Sequence, residues 1–138
     1  MSISNYLDSV ARPFEGLAPW ILRLVLGVSF ILHGLGKFPL PPEKMVTWFE
    51  SMGIGAPEIV ASLVAVGEVG AGVAVILGGF LGGVGHLITR LGGGAVLVIM
   101  TGAFYLAHSD WFITQKLFMS EQIFLFALGA YFAIKGNN

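Results

Sequence analysis

Three ionisable residues of this 138-residue sequence sit inside long apolar runs: Arg23, His33 and Glu68. Four more, Lys37, Arg90, His108 and Glu121, stand near the ends of such runs. A charge at mid-bilayer costs at least about 2.5 kcal/mol unless it is paired or wetted, so it turns toward a bundle interior or a water-filled cavity. A histidine beside a carboxylate is suited to relaying protons. An arginine beside a glutamate can serve a plainer purpose, fixing the register of two helices as an ion pair. A lone histidine at a membrane interface more often hydrogen-bonds there than ligates a metal or haem, and no metal site is expected.

The elements that must position these residues follow from the apolar runs. The first run, residues 17–36, opens with Pro19, whose missing N–H is no loss in a first helical turn, and with Trp20 at an interfacial position. Twenty residues at about 1.5 Å each cross a hydrocarbon core of about 30 Å. Residues 38–42 hold three prolines and break the helix. Glu43 to Met52 reads as a short amphipathic helix with Met45, Trp48, Phe49 and Met52 on one face, too short to span and suited to the interface. Further spans are expected at 57–81, 88–107 and 121–134, with the glycine-rich stretch 78–85 ending or bending the second. Residues 108–119 read as a polar, aromatic loop, and Ser120 as the N-cap of the last span. Phe124, Phe126 and Phe132 read as a lipid-facing surface. The predicted fold is an all-α, integral membrane four-helix bundle with one interfacial helix between spans one and two, in a single domain covering residues 1–138.

Helical steps from Glu68 meet Ala61, Ala65, Gly72 and Gly79, all small. Small residues let helices approach, so this face packs on another helix. Arg23 shares its face with Gly27 and Gly34. Measured from the first loop, Glu68 is about 15 Å deep and Arg23 about 21 Å, a gap that an arginine side chain covers. The predicted structural ion pair is therefore Arg23–Glu68, with His33 as the second-choice partner. On the third span Arg90, Gly94, Leu97, Thr101 and His108 fall on one face, which delivers His108 to the end holding His33, Lys37 and Glu121. The candidate site for protons or a polar ligand comprises Arg23, His33, Lys37, Glu68, His108 and Glu121; no catalytic residue is assigned.

Composition agrees with the membrane reading. The chain is 56% apolar and 11% charged with a formal charge of −1, against about 25% charged residues in soluble domains. A soluble domain of this length buries only about two-thirds of its surface and could not hide the excess. There is no basic stripe, so nucleic acid is not an expected partner. There is no cysteine, which excludes disulfides, thiol redox chemistry, iron–sulfur clusters and covalently attached haem. Residues 1–16 are mixed and polar, unlike a cleavable signal peptide. Arg12, Arg90 and Lys135 on one side balance Lys37, Lys44 and Lys116 on the other, and Arg23 tips the prediction to cytoplasmic termini.

Residues 23–38, RLVLGVSFILHGLGKF, resemble the opening signature of the DoxX family, with an arginine entering the first span and a His-Gly-x-x-Lys at its exit. Residues 48–72 are similar to the family's interfacial Trp-Phe segment, Gly-x-x-x-Pro turn and second-span glutamate. Arg90, His108 and Glu121 fit the same pattern, whereas residues 112–119 depart from it. The resemblance implies a four-helix inner-membrane protein of bacteria or archaea, related to the small membrane subunit of a thiosulfate:quinone oxidoreductase. Fold resemblance carries function only by analogy.

Three readings compete. The first is a non-catalytic subunit, or an assembly and stability factor, of a larger membrane complex, working through other membrane subunits or self-association. The second is a quinone-interacting subunit in which Arg23, His33, Glu68 and His108 hydrogen-bond the quinone head or relay protons; quinone is the one cofactor entertained. The third, a small transporter or channel, is disfavoured because no inverted repeat is visible. The first is preferred, with no catalysis expected of the chain alone.

Overall fold

The computed structural model describes residues 2–107 and 115–138, and every regular element among them is helical. Helix α1 (Ile3–Ala11) runs through a 3-10 segment, Arg12–Leu17, into α2 (Ala18–Leu35). Helix α3 (Glu43–Ser51) follows the proline-rich first loop, then α4 (Pro57–Gly78), α5 (Gly82–Ala107), the single turn α6 (Gln115–Phe118) and α7 (Glu121–Lys135).

Helices α2, α4, α5 and α7 form the bundle, each packing extensively on the next, while α2 and α7 touch only sparsely. One end, here the first-loop pole, carries the exit of α2 and the start of α4. The other, the hairpin pole, carries the turn between α4 and α5 and the residues after α7. Three stretches are long and apolar enough to cross a membrane: Ile3–Leu35, Pro57–Gly78 and Gly82–Ala107. Helix α7 has 15 residues, about 22 Å of rise, matching the short last span expected at 121–134 and less than a hydrocarbon core of about 30 Å.

The main core is an apolar column of Leu26, Phe30, Ala71, Val75, Val96, Met100, Leu125 and Phe132, with a smaller cluster of Val46, Phe49 and Ala61 beside it. Close helix approach makes it possible. A Cβ on Gly34 would lie 2.6 Å from Val69 Cγ2 and 2.7 Å from the Ala65 carbonyl oxygen, so α2 and α4 meet where no larger residue fits. Gly93 and Gly129 do the same for α5 and α7.

Several expected boundaries and faces differ. The first sixteen residues hold a helix, because Ile3, Tyr6, Leu7 and Val10 recur at helical spacing; all four are exposed. Helix α5 starts at Gly82, six residues before the expected 88, since Gly85 belongs to the crossing with α4 opposite Gly78. Its buried face is Gly85, Thr89, Gly92, Val96 and Met100 rather than the face of Arg90, Leu97 and Thr101. Helix α3 buries Val46 and Phe49 against Ala61 of α4, leaving Trp48 and Met52 exposed. Phe132 lies in the core at 1% exposure, whereas Phe124 is exposed. Ser120 is the N-cap of α7 by backbone geometry, but its hydroxyl donates to the Leu117 carbonyl instead of accepting from the helix.

Candidate functional site

Two polar nodes tie the bundle together, one at each pole. At the first-loop pole Lys37, just past the end of α2, donates from Nζ to Glu68 Oε2 of α4 at 2.8 Å and to the His33 carbonyl at 3.2 Å. The pair is largely covered by protein, with side-chain exposures of 22% and 10%. Beside it His33 Nε2 lies 3.4 Å from Glu121 Oε1, at the first residue of α7. His33 Nδ1 lies 2.7 Å from the Ser29 carbonyl, which suits an N–H on that nitrogen, while Nε2 faces the glutamate carboxylate. His33 and Glu121 are exposed. The cluster therefore combines a covered ion pair with an open histidine–carboxylate couple.

The predicted Arg23–Glu68 ion pair is not what the structure shows. Glu68 belongs to Lys37, and Arg23 is engaged elsewhere. The reason is register. Gly27 packs on Gly72, and Gly34 on Ala65 and Val69, so facing positions of antiparallel α2 and α4 have numbers summing to about 101. Lys37 is then level with position 64, and Pro57 lies about seven residues, or roughly 10 Å, beyond it. Depths measured from Lys37 on one helix and from Pro57 on the other do not share a zero. Arg23 is level with Gly78, and Glu68 with His33. His33, the second-choice partner, points to Glu121 instead.

At the hairpin pole Arg23 is 4% exposed. It donates from Nη1 to the Val75 carbonyl and to Thr89 Oγ1 (2.8 Å), and from Nη2 to Asn137 Oδ1 (2.7 Å). The guanidinium also lies over the rings of Phe132 and Trp20, at 5.0 and 5.5 Å from their centroids; cation–π contacts of this kind reinforce a desolvated cation. Asn137 closes the node. Its Oδ1 accepts from Thr89 Oγ1 at 2.8 Å, its Nδ2 donates to the Gly78 carbonyl at 2.9 Å, and its backbone N–H donates to His86 Nδ1 at 3.1 Å.

Of the six candidate residues, the structure thus brings Lys37, Glu68, His33 and Glu121 together and sets Arg23 at the opposite pole. His108 lies outside the described residues. Thr89, Asn137 and His86 were missed. Thr89 had a readable signal, a small polar residue in the stripe Gly85, Thr89, Gly92; Asn137 follows α7 and had none. No group of residues that could hold a metal ion occurs among the described residues.

Comparison with known proteins bears on the same framework. The chain is 34% identical over 85 residues to the uncharacterized membrane protein Rv3486 of Mycobacterium tuberculosis, covering 62% of this chain and 47% of that protein. It thus spans about half the length of the curated relative it matches. No solved structure matches. The DoxX family matches residues 18–109, from the first residue of α2 to just past the end of α5, a range that contains Arg23, His33, Lys37 and Glu68. With the long apolar helices and the bundle they build, this makes the chain a membrane protein in contact with the lipid bilayer, and it belongs to the DoxX family.

Proposed function

We propose that this chain is a non-catalytic subunit, or an assembly and stability factor, of a larger complex in a bacterial or archaeal inner membrane, with its termini on the cytoplasmic side. The observation that carries the reading is how the polar groups inside the bundle are used. Lys37 and Glu68 satisfy each other, Arg23 is satisfied by Val75, Thr89 and Asn137, and the space between the helices is filled by the apolar column around Phe30 and Phe132. A bundle so filled favours a rigid docking body over an active site or a conduction path. The absence of cysteine removes the commonest protein-borne redox groups.

A specific observation favours the second reading, quinone interaction. His33 and Glu121 are exposed at the first-loop pole next to the covered Lys37–Glu68 pair, an arrangement of the type that hydrogen-bonds a quinone head and moves its protons.

Mild detergent extraction of the tagged protein separates the two. Everything that copurifies would be identified, proteins by mass spectrometry and quinones by solvent extraction. A stoichiometric protein partner without quinone is the expected result. Bound quinone that disappears in His33→Ala or Glu68→Gln would overturn it in favour of the second reading.

A further inference from the structure

Arg23 brings a full positive charge into a pocket whose acceptors are all neutral: a carbonyl, a hydroxyl and a carboxamide. The Lys37–Glu68 and His33–Glu121 pairs lie at the other pole. Desolvating a cation without an opposite charge is expensive. A neutral histidine and two cations flank the same turn. His86 accepts from the Asn137 backbone, and Arg90 donates from Nε to the Ala133 carbonyl at 3.1 Å. A Cβ on Gly136 would run into the His86 ring and lie 3.0 Å from Arg90 Cγ. Lys135 immediately precedes the turn. Arg23 thus holds its charge among neutral partners, with Arg90 and Lys135 beside the same turn.

The geometry points to an oxyanion-binding site on Arg23 at the hairpin pole, with the Asn137 carboxamide as its built-in stand-in and lid. Asn137 Oδ1 sits where one oxygen of a phosphate would sit, accepting from both Arg23 and Thr89. Asn137 itself is exposed while Arg23 beneath it is buried, so Asn137 is the polar partner of the guanidinium that faces outside. The lid depends on Gly136, whose φ of 60° and ψ of −130° suit glycine alone. A phosphate would replace a neutral acceptor by a charged one, and arginine binds such oxyanions through paired N–H groups. Arg23 is level with the last residue of α4, the depth of a headgroup, so free phosphate and the phosphate of an anionic lipid are both within reach. The site is remote from Lys37–Glu68 and independent of the function proposed above.

The test uses the whole chain in phosphatidylcholine nanodiscs. In one arm potassium phosphate is titrated against potassium chloride at equal ionic strength. In the other, part of the phosphatidylcholine is replaced by phosphatidylglycerol. The expected result is a rise in thermal midpoint of about 5 °C at saturation beyond the chloride control, with a shift of the Asn137 side-chain amide resonances. A response to phosphate alone identifies a soluble anion, and one to phosphatidylglycerol alone a lipid headgroup; either supports the site. Asn137→Asp should raise the midpoint without added anion and abolish the response. Gly136→Ala, which expels the lid, should tighten phosphate binding by roughly tenfold. The proposal is overturned if neither anion exceeds chloride in the native chain and in Gly136→Ala, or if Asn137→Asp lowers the midpoint.

Discussion

Lys37 and Glu68 are the residues whose partnership decides how the first-loop pole is held. Removing one member of a covered ion pair leaves the other uncompensated, at a cost of about 3–5 kcal/mol when burial is complete. Glu68→Gln should therefore destabilise the protein by roughly 3 kcal/mol, and the double change Lys37→Met with Glu68→Leu should restore most of the loss. A double-mutant cycle read by thermal or denaturant unfolding in detergent checks this, and additive losses would refute the coupling. His33→Gln and Glu121→Gln should each change stability by less than about 1 kcal/mol, because that pair is exposed. The sequence already marked Glu68 as inward-facing through its small neighbours Ala61, Ala65 and Gly72, and all four are buried. It did not reveal the partner, because partner choice depends on how far one helix slides past another. That offset depends on the first loop and on α3, which lie between α2 and α4.

At the scale of the elements, helix crossings govern stability. Gly34 faces backbone and side chain of α4 within 3 Å of where a Cβ would stand. Gly34→Val should force α2 and α4 apart and cost several kcal/mol, on the order of severe overpacking. Gly70, also in α4, has open space around its would-be Cβ. Gly70→Ala should be neutral or stabilise by up to about 1 kcal/mol, through helix propensity. Comparing the two variants by thermal unfolding in one detergent separates packing from propensity; equal effects would contradict the crossing geometry. Glycine abundance was legible as a sign of close packing, but which glycines do it was not. The stripe through Gly85, Thr89 and Gly92 and the one through Arg90, Leu97 and Thr101 look alike on a helix that is apolar nearly all round. Only contact with α4 and α7 chose between them.

For the molecule as a whole, the four-helix bundle was legible from apolar runs and breaks, and so was the shortness of its last helix, expected at 121–134 and found at Glu121–Lys135. Its 15 residues rise about 22 Å against a hydrocarbon core of about 30 Å. Such mismatch is met by local thinning of the bilayer or by flanking residues reaching to the interface. Amide hydrogen exchange in nanodiscs should therefore show α7 better protected in lipids with 14-carbon chains than in lipids with 18-carbon chains, with α4 little affected. Equal protection in both would mean that α7 is shielded by its neighbours and takes no account of bilayer thickness.

The node around Arg23 also has a timetable. Its three acceptors lie 52, 66 and 114 residues further along the chain. At about 5–20 residues per second, the ribosome delivers the last of them roughly 6–23 s after the arginine itself. Throughout that interval the first span must lodge its cation among water and headgroups at the membrane surface. Arg23 is fully enclosed only when the residues after α7 fold back over it, so the closing of this node is timed by the synthesis of Asn137.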